Sequence, residues 1–352
     1  MDTQPLSSVL LTKVARRLCD SQKPEMIDHV LNFINALLQG KPKRAGRNTV
    51  CFFDPQMQAV ATASAALVSD LRQAWREGQF LLDYQPQVDS QGRMTGVEAL
   101  LRWHHPQRGT VSPAEFIPTA EETSLILTIG RWVLEAACAQ LAAWGRRPER
   151  AGLTIAVNVS ARQFRHPQFA DTVAEAIGRA GIAPHRLKLE LTESLMVDGF
   201  DDTVAKMAQL KTLGVGLALD DFGMGYSSLA YLKRLPLDQL KIDREFVKDV
   251  LTDAHDAAIA RTIVALAHSL SLDVVAEGVE TDAQREFLAG LGCDRFQGFL
   301  YCQPLAPPAL EDYLRASQAQ AALPGGTTLI AAPPSAATAP APVVAAARCG
   351  PG

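Results

Sequence analysis

The sequence lacks the features that mark membrane, secreted and zinc-binding proteins. No apolar run approaches the roughly 20 residues that a helix needs to cross a bilayer, so we predict no membrane span. The first residues have no basic region ahead of their apolar stretch and make a poor signal peptide. The six cysteines show neither paired nor metal-type spacing, which favours a reducing, cytoplasmic location. They are Cys19, Cys51, Cys138, Cys293, Cys302 and Cys349.

The sequence also has little net charge and no cluster of histidines. Its formal net charge of -4 gives no reason to expect nucleic acid as a partner, so we predict no DNA binding. The seven histidines do not form a ligand pattern; His104 and His105 follow a strand and could contact the site, but we favour a plain loop role. With 47% apolar and 20% charged residues, the 352-residue chain has a globular composition and room for one large domain with an appendage.

Composition divides the chain into three segments. Residues 1–60 contain a helix candidate, Pro24 to Leu38, whose apolar face needs either the rest of the chain or a regulatory partner. Residues 61–316 alternate strand-like and helix-like runs and form the main predicted domain. Residues 317–352 are rich in alanine and proline and contain no acid, so we predict a disordered tail.

The alternating runs of the middle segment predict an α/β barrel. Several strand candidates are apolar almost throughout, as expected for parallel strands covered by helices. Eight strands in this length match a (β/α)8 TIM-like barrel, whose sites lie at the C-terminal ends of its strands. A doubly wound open sheet is the alternative, but it gathers its site at one switch point. The candidates are FLLDYQPQV, GVEALLRW, LTIAVNV, RLKLELT, GVGLALDD, DQLKID, LDVVAEG and DRFQGFLY.

Five carboxylates and one asparagine lie in or at the end of these strand-like runs. An acid at the end of a buried strand is costly to desolvate unless it meets a cation. Oxygen ligands without cysteine or histidine suit Mg²⁺ or Mn²⁺ better than zinc. The neighbours Asp220 and Asp221 could each hold or bridge one of two ions, because the second can turn inward where the strand ends. The six residues are Glu98, Asn158, Glu190, Asp220, Asp221 and Glu277, and Lys241 closes a further run.

The order of these motifs resembles the EAL family of cyclic di-GMP phosphodiesterases. The name-giving signature stands at Glu98 to Leu100, and the likeness extends over about residues 71–314. Single pieces are weak, whereas the ordered series is highly specific. The resemblance implies a barrel whose first strand is antiparallel to the others, preceded here by a short helical N-terminal segment. The matching motifs are YQPQV, FIPTAEE, NVSARQF, ELTES, DDFGMGYSSLAYLKRLPLDQLKID, AEGVE and QGFLYCQP.

The resemblance also implies a role for each site residue. One metal ion would be held by Glu98, Asn158, Glu190 and Asp220, and a second by Asp221 together with Asp220 and Glu277. A water activated by the two ions would attack phosphorus and open cyclic di-GMP to linear pGpG. Glu98, Lys241 and Glu277 would be catalytic, with Lys241 orienting the water and Glu277 accepting a proton. Substrate contacts are implied for Gln85, Arg102, Asp243, Gln297 and Pro304, with Arg102 suited to bind phosphate.

The loop after Asp221 has a second implied role, in positioning the metal-binding acids and in forming a homodimer through the barrel. Glu193 would stabilise this loop. Met224 stands where most members carry a small polar residue, usually threonine, and we interpret it as a tolerated exchange or as a cause of reduced turnover. Asp83 stands where an aromatic residue is common, and its effect is open.

The stretch from Ala45 to Gln58 resembles the closing strand and exit linker of a GGDEF diguanylate cyclase domain. About 44 residues precede it, too few for that domain, and no GGDEF-like string occurs, so we expect no cyclase activity. Two functional classes stay open for the barrel: an active phosphodiesterase and a non-catalytic cyclic di-GMP receptor or interaction module. Receptors of this family typically lack an acid or the lysine, and all are present here, which favours the enzyme. An unrelated Mg²⁺-dependent barrel enzyme is a third possibility.

Overall fold

The computed structural model describes residues 55–196, 199–223 and 229–321. Several predictions fall outside these ranges and stay predictions. They concern the helix from Pro24 to Leu38, the cyclase-like stretch as far as residue 54, Met224, and the tail beyond residue 321.

The described residues alternate strands and helices along the whole middle segment. The strands are β1 (Phe80–Asp89), β2 (Met94–His105), β3 (Gly109–Val111), β4 (Thr154–Val159), β5 (Leu187–Thr192), β6 (Gly216–Phe222), β7 (Gln239–Ile242), β8 (Asp273–Ala276) and β9 (Arg295–Phe296). The helices are α1 (Pro55–Glu77), α2 (Pro113–Glu122), α3 (Leu125–Gly145), α4 (Ala161–Arg165), α5 (Phe169–Ala180), α6 (Phe200–Thr212), α7 (Leu229–Leu232), α8 (Arg244–Lys248), α9 (Ala254–Ser269), α10 (Asp282–Gly290) and α11 (Pro307–Ala321). Short 3₁₀ turns span Pro148–Arg150, Pro184–Arg186 and Glu193–Met196.

The strands close into a barrel, which confirms the predicted fold. Their order is β1-β9-β8-β7-β6-β5-β4-β2, and β1 also pairs with β2, so the ring is complete. Strand β3 pairs with β2 as a hairpin outside the ring. Strand β1 is antiparallel to both of its neighbours, whereas the other pairs within the ring are parallel. The parallel strands therefore all end at the same side of the barrel.

Helix α3 shows why the covering helices are so apolar. By length and composition it passes as a membrane-spanning helix, the one helix to do so in the part of the chain that the structure describes. Its buried residues include Ile129, Leu134 and Leu141, and the helix packs on strand β4 and helix α5. The apolar character of α3 therefore follows from its place against the barrel wall.

One strand is shorter than the sequence predicted, and two helices cross domain limits that stay predictions. Helix α1 spans the predicted limit at residue 60, because its alanine-rich sequence favours a helix, and it buries Leu71 and Ala74. Strand β9 has only two residues, since the chain turns at Gly298, where an added Cβ would lie 2.1 Å from Val279 O. Helix α11 continues to Ala321, past the predicted boundary at 316, and buries Ser317.

Candidate active site

The side of the barrel at which the parallel strands end, which we call the mouth, gathers the predicted metal ligands. Asn158 on β4 stands beside Glu190 on β5 in the sheet register. Glu98 lies on β2, and Glu277 directly follows β8. Asn158, Glu190 and Glu277 lie in the last part of their strands or just after them, whereas Glu98 lies within the longer strand β2, near the end of its pairing with β4. The barrel brings these positions to one side. The residues of the mouth are Glu98, Asn158, Glu190, Asp220, Asp221, Lys241 and Glu277.

Lys241 lies at the centre of the mouth among four carboxylates. Its side chain is 1% exposed and reaches the site from the short strand β7. Burial alone would lower the pKa of Lys241, but the surrounding carboxylates raise it well above its ordinary value. Lys241 is therefore a permanent cation in this structure. Its Nζ lies 2.5 Å from Glu277 Oε1, 2.7 Å from Glu190 Oε2, 3.2 Å from Asp220 Oδ1 and 3.8 Å from Glu98 Oε2.

One ammonium group does not balance the four carboxylates around it. Burial raises the pKa of Glu190 well above its ordinary value, and repulsion from the other acids adds to this effect. The charge of Lys241 opposes the shift without cancelling it. Burial and repulsion from Asp220 likewise raise the pKa of Glu277 to about 8, against the attraction of Lys241. The protein alone therefore leaves excess negative charge at the mouth, which protons or further cations must neutralise.

Glu98 is the acid whose ionised form is favoured by Lys241 and by hydrogen bonds. Burial favours its neutral form, yet Lys241 and amide donors lower the pKa of Glu98. Asn158 Nδ2 donates to Glu98 Oε1 at 2.5 Å, and Gln297 Nε2 donates to Glu98 Oε2 at 2.6 Å. Because the amino group of Asn158 faces Glu98, its carbonyl oxygen is left for a cation.

Gln297 contacts other side chains of the protein in this structure, and its predicted contact with the substrate stays a prediction. Gln297 is 4% exposed, and its amino group donates both to Glu98 and to Gln85 Oε1, the latter at 3.0 Å. Its carbonyl oxygen accepts from Gln87 Nε2 at 2.9 Å. With every donor engaged, Gln297 orients Glu98 instead of facing outward. Sequence reasoning missed Gln87, although its place two residues after Gln85 puts both on one strand face.

The adjacent acids at the end of β6 reach the mouth through an irregular strand end. The β6–β7 register shifts between Leu219 and Phe222, and Asp221 has φ +54° in the left-handed region. Its backbone N–H donates to Asp220 Oδ1 at 3.0 Å. Burial, the charge of Asp220 and a hydrogen bond with Asp243 raise the pKa of Asp221 to about 6. The turn at Asp221 brings its side chain near those of Asp220 and Asp243. That Asp220 and Asp221 serve one metal site stays a prediction.

Arg102 and Asp83 form an ion pair at the rim of the mouth. Arg102 Nε lies 3.1 Å from Asp83 Oδ2, and Nη1 donates to Leu101 O at 3.1 Å. Arg102 stands four residues after Glu98 on β2, and Asp83 stands two residues before Gln85 on β1. Alternation along the strands therefore places both on the face that lines the mouth. Asp83 therefore competes with the phosphate group that Arg102 is predicted to bind.

The remaining predicted residues lie around the mouth with different contacts. Asp243 follows β7 and caps helix α8, where its side chain accepts from Glu245 N at 2.7 Å. Pro304 precedes Leu305, which forms an antiparallel bridge with Tyr84 on β1. Glu193 Oε1 accepts from Gly223 N at 2.9 Å, at the start of the loop that Glu193 was predicted to stabilise.

The donor set of the mouth fits hard divalent cations. All of its candidate ligands are oxygen atoms, and Glu190 Oε1 is buried with no hydrogen-bond partner among the described residues. In those residues, no three His, Cys, Asp or Glu side chains are already arranged as a metal cluster. The reason is visible at the mouth, where the carboxylates close around the ammonium group of Lys241.

These features define a barrel protein with an acidic site at the strand ends, and comparison assigns its family. Residues 68–304 match the EAL domain family, and the chain belongs to that family. It is 50% identical over 264 residues to the bifunctional diguanylate cyclase/cyclic di-GMP phosphodiesterase MucR of Pseudomonas aeruginosa, which covers 75% of this chain and 38% of MucR. It is 43% identical over 286 residues to the cyclic di-GMP phosphodiesterase NbdA of the same organism, covering 80% and 36%. The chain thus spans less than half the length of these relatives.

The fold is also similar to that of a solved relative with bound nucleotide. The structure of the PaMucR phosphodiesterase in complex with c-di-GMP matches with a TM-score of 0.68 and 50% sequence identity. The match covers 70% of this chain and 99% of that chain. The family match begins at residue 68, so the likeness of residues 45–58 to a cyclase tail stays a prediction.

Proposed function

We propose that this chain hydrolyses cyclic di-GMP to linear pGpG with divalent metal ions. The observation that carries the proposal is the complete set of acids around Lys241 at the mouth. The relatives named as cyclic di-GMP phosphodiesterases support the substrate and the activity. The reaction breaks one P–O3′ bond, forms a P–O bond to water, and leaves the proton on the departing 3′-oxygen.

The metal ions would be held by Glu98, Asn158, Glu190 and Asp220 for one ion, and by Asp220, Asp221 and Glu277 for the other. When bound, Mg²⁺ or Mn²⁺ would supply Lewis-acid activation of water and neutralise charge on the phosphate. These ions would also neutralise the negative charge that remains after Lys241 has paired with the carboxylates.

The protein's own groups would prepare the phosphate and the water. Lys241 fixes the carboxylates of Glu190 and Glu277 and supplies positive charge next to the phosphoryl oxygens. Glu277 is the acid that the family resemblance assigns to accept the proton, and its carboxylate lies at the mouth beside Lys241. Arg102 would leave Asp83 and bind a phosphate oxygen pair. Asn158 and Gln297 keep Glu98 oriented throughout.

A product assay with a matched variant tests the proposal. The full chain is incubated with cyclic di-GMP and Mg²⁺ or Mn²⁺, and pGpG is measured by chromatography and mass spectrometry. Glu98→Gln is the control, because it keeps the size of the side chain and removes its charge. We expect pGpG from the unmodified chain, none after chelation, and at least a hundredfold less from the variant.

Binding measured by calorimetry separates the enzyme from a receptor. Tight binding of cyclic di-GMP without any pGpG under either metal would overturn the enzyme proposal in favour of a non-catalytic receptor. Failure to bind cyclic di-GMP at all would point instead to a different substrate for a metal-dependent barrel. A homodimer through the barrel, and a regulatory partner for the N-terminal helix, stay predictions that sedimentation of the full chain can examine.

A further inference from the structure

The end of the barrel opposite the mouth contains a cavity of about 640 Å³. Thr154, Gly216 and Asp273 line it and are the first residues of β4, β6 and β8. The acids of the mouth lie where the strands end, so the cavity and the mouth are at opposite ends of the barrel. A ligand in this cavity would enter from the face that the substrate does not use.

Two long polar side chains reach the cavity from inside the barrel. Lys188 stands two residues before Glu190 on β5, and Gln239 stands two residues before Lys241 on β7. Strand alternation therefore places both on the inner face, one layer below the mouth. A glycine makes room for the lysine, since a Cβ on Gly216 would lie 2.9 Å from Lys188 Cγ.

The donors of these two side chains are not used up. Lys188 Nζ donates to Gln239 Oε1 at 3.2 Å, and no acid forms an ion pair with Lys188 among the described residues. Gln239 is 1% exposed, and its Nε2 is buried without a hydrogen-bond partner in the same described part. An unpaired ammonium group and a buried amide donor both require an acceptor.

The other charges that line the cavity are mostly compensated. Lys211 lies 2.6 Å from Asp238, and Arg295 lies 2.9 Å from Asp273. Arg93 pairs with Asp89 at 2.7 Å in the same way. The acid left over, Glu149, is exposed to solvent, whereas Lys188 is only partly exposed and contacts the buried Gln239. Lys188 is therefore the cation beside Gln239 that has no ion-pair partner among the described residues.

We propose that this cavity binds a small anion, the phosphate or carboxylate group of a small molecule, through Lys188 Nζ and Gln239 Nε2. An anion supplies acceptors to both donors and neutralises the ammonium group. A bare metal cation is disfavoured by the same lysine. Because the cavity lies at the end of the barrel opposite the mouth, this anion would not occupy the site of cyclic di-GMP.

Calorimetric titration of the full chain with inorganic phosphate, and separately with acetate, tests this site. Both titrations are done without divalent metal and in the presence of chelator. We expect saturable binding by the unmodified chain, with the tighter of the two anions identifying the preferred group. Lys188→Met should weaken that binding at least tenfold, and Gln239→Leu should weaken it several-fold, because each removes one donor.

Two cation-to-methionine variants provide matched controls. Arg93→Met removes a paired cation from the same cavity, and Arg102→Met removes the phosphate-binding candidate of the mouth. Both should bind the anion within about twofold of the unmodified chain, since neither supplies the free donors. Circular dichroism checks that each variant is folded, and Gln239→Leu carries the test if Lys188→Met does not fold.

No saturable binding by the unmodified chain up to tens of millimolar of either anion would overturn the proposal. Unchanged binding in folded Lys188→Met or Gln239→Leu would also overturn it. A loss of binding in Arg102→Met alone would place the anion at the mouth and would equally contradict a site at the opposite end.

Discussion

At the scale of single residues, the mouth is explained by charge that the protein cannot neutralise by itself. Lys241 contacts Glu190 and Glu277 closely, and the pKa of each of these acids is still raised. Sequence reasoning could find these residues because an acid at a buried strand end has few structural explanations. It could not distinguish the two possible roles of Gln297, since a glutamine that binds a ligand and one that orients an acid have the same sequence pattern.

The role of Gln297 can be tested by separating turnover from substrate affinity. Gln297→Leu removes a donor from Glu98 Oε2 and leaves a buried carboxylate oxygen unpaired. We expect kcat to fall roughly tenfold or more with KM changed less than threefold, because the interaction orients a catalytic-site acid. A variant whose KM rises while kcat is unchanged would instead support direct contact between Gln297 and the substrate.

The ion pair between Asp83 and Arg102 predicts an effect of the unusual residue in β1. Asp83→Asn removes the competing charge, so Arg102 should bind the substrate phosphate more readily. We expect KM for cyclic di-GMP to fall several-fold, measured by initial rates at low ionic strength. Arg102→Met should raise KM, and the double variant should show no further benefit from Asp83→Asn. Equal gains with and without Arg102 would show that Asp83 acts by another route.

At the scale of elements, strand ends and their loops decide which side chains meet. The alternation of strands and helices was predictable because buried parallel strands have a distinctive apolar pattern. The bulge that turns Asp221 was less visible, since it depends on pairing with β7, which the sequence of β6 does not contain. The length of strand β9 was overestimated, because tertiary packing at Gly298 sets its end.

Glu193 is expected to anchor the loop after β6 through its hydrogen bond with Gly223 N–H. Glu193→Ala removes the acceptor of Gly223 N–H at the start of the loop that follows the paired aspartates. We expect the concentration of Mn²⁺ needed for half-maximal activity to rise several-fold, because the acids of this strand end become less well positioned. Glu193→Gln keeps an acceptor oxygen and serves as the control with a smaller effect. Unchanged metal dependence in folded Glu193→Ala would refute the anchoring role.

A buried arginine predicts how the barrel wall is held together between α3 and β5. Arg186 is 6% exposed and donates to three backbone carbonyl groups, those of Leu153, Leu141 and Arg150, at 2.9, 3.2 and 3.2 Å. Arg186→Met keeps much of the side-chain volume but leaves these acceptors without donors. We expect a loss of about 2–4 kcal/mol in the free energy of unfolding, measured by urea denaturation. A loss below about 0.5 kcal/mol would show that water replaces the arginine without cost.

At the scale of the whole molecule, the closed barrel turns distant sequence motifs into one site. Glu98 and Glu277 are far apart in the chain, yet both lie within 4 Å of Lys241 Nζ. The number of strands and their apolar pattern predicted the barrel, because few other folds place so many strand-end acids together. The antiparallel first strand followed only from the family resemblance, since strand direction depends on long-range pairing that local patterns do not encode.

The measurement that tests the central claim most directly is hydrolysis of cyclic di-GMP in water enriched in heavy oxygen. The full chain, supplied with Mn²⁺ or Mg²⁺, should yield pGpG that carries one heavy oxygen in its terminal phosphate, because water attacks phosphorus and the 3′-oxygen leaves. Mass spectrometry of the product locates the label. Heavy oxygen on the ribose, unlabelled product, or no pGpG under either metal would contradict the account.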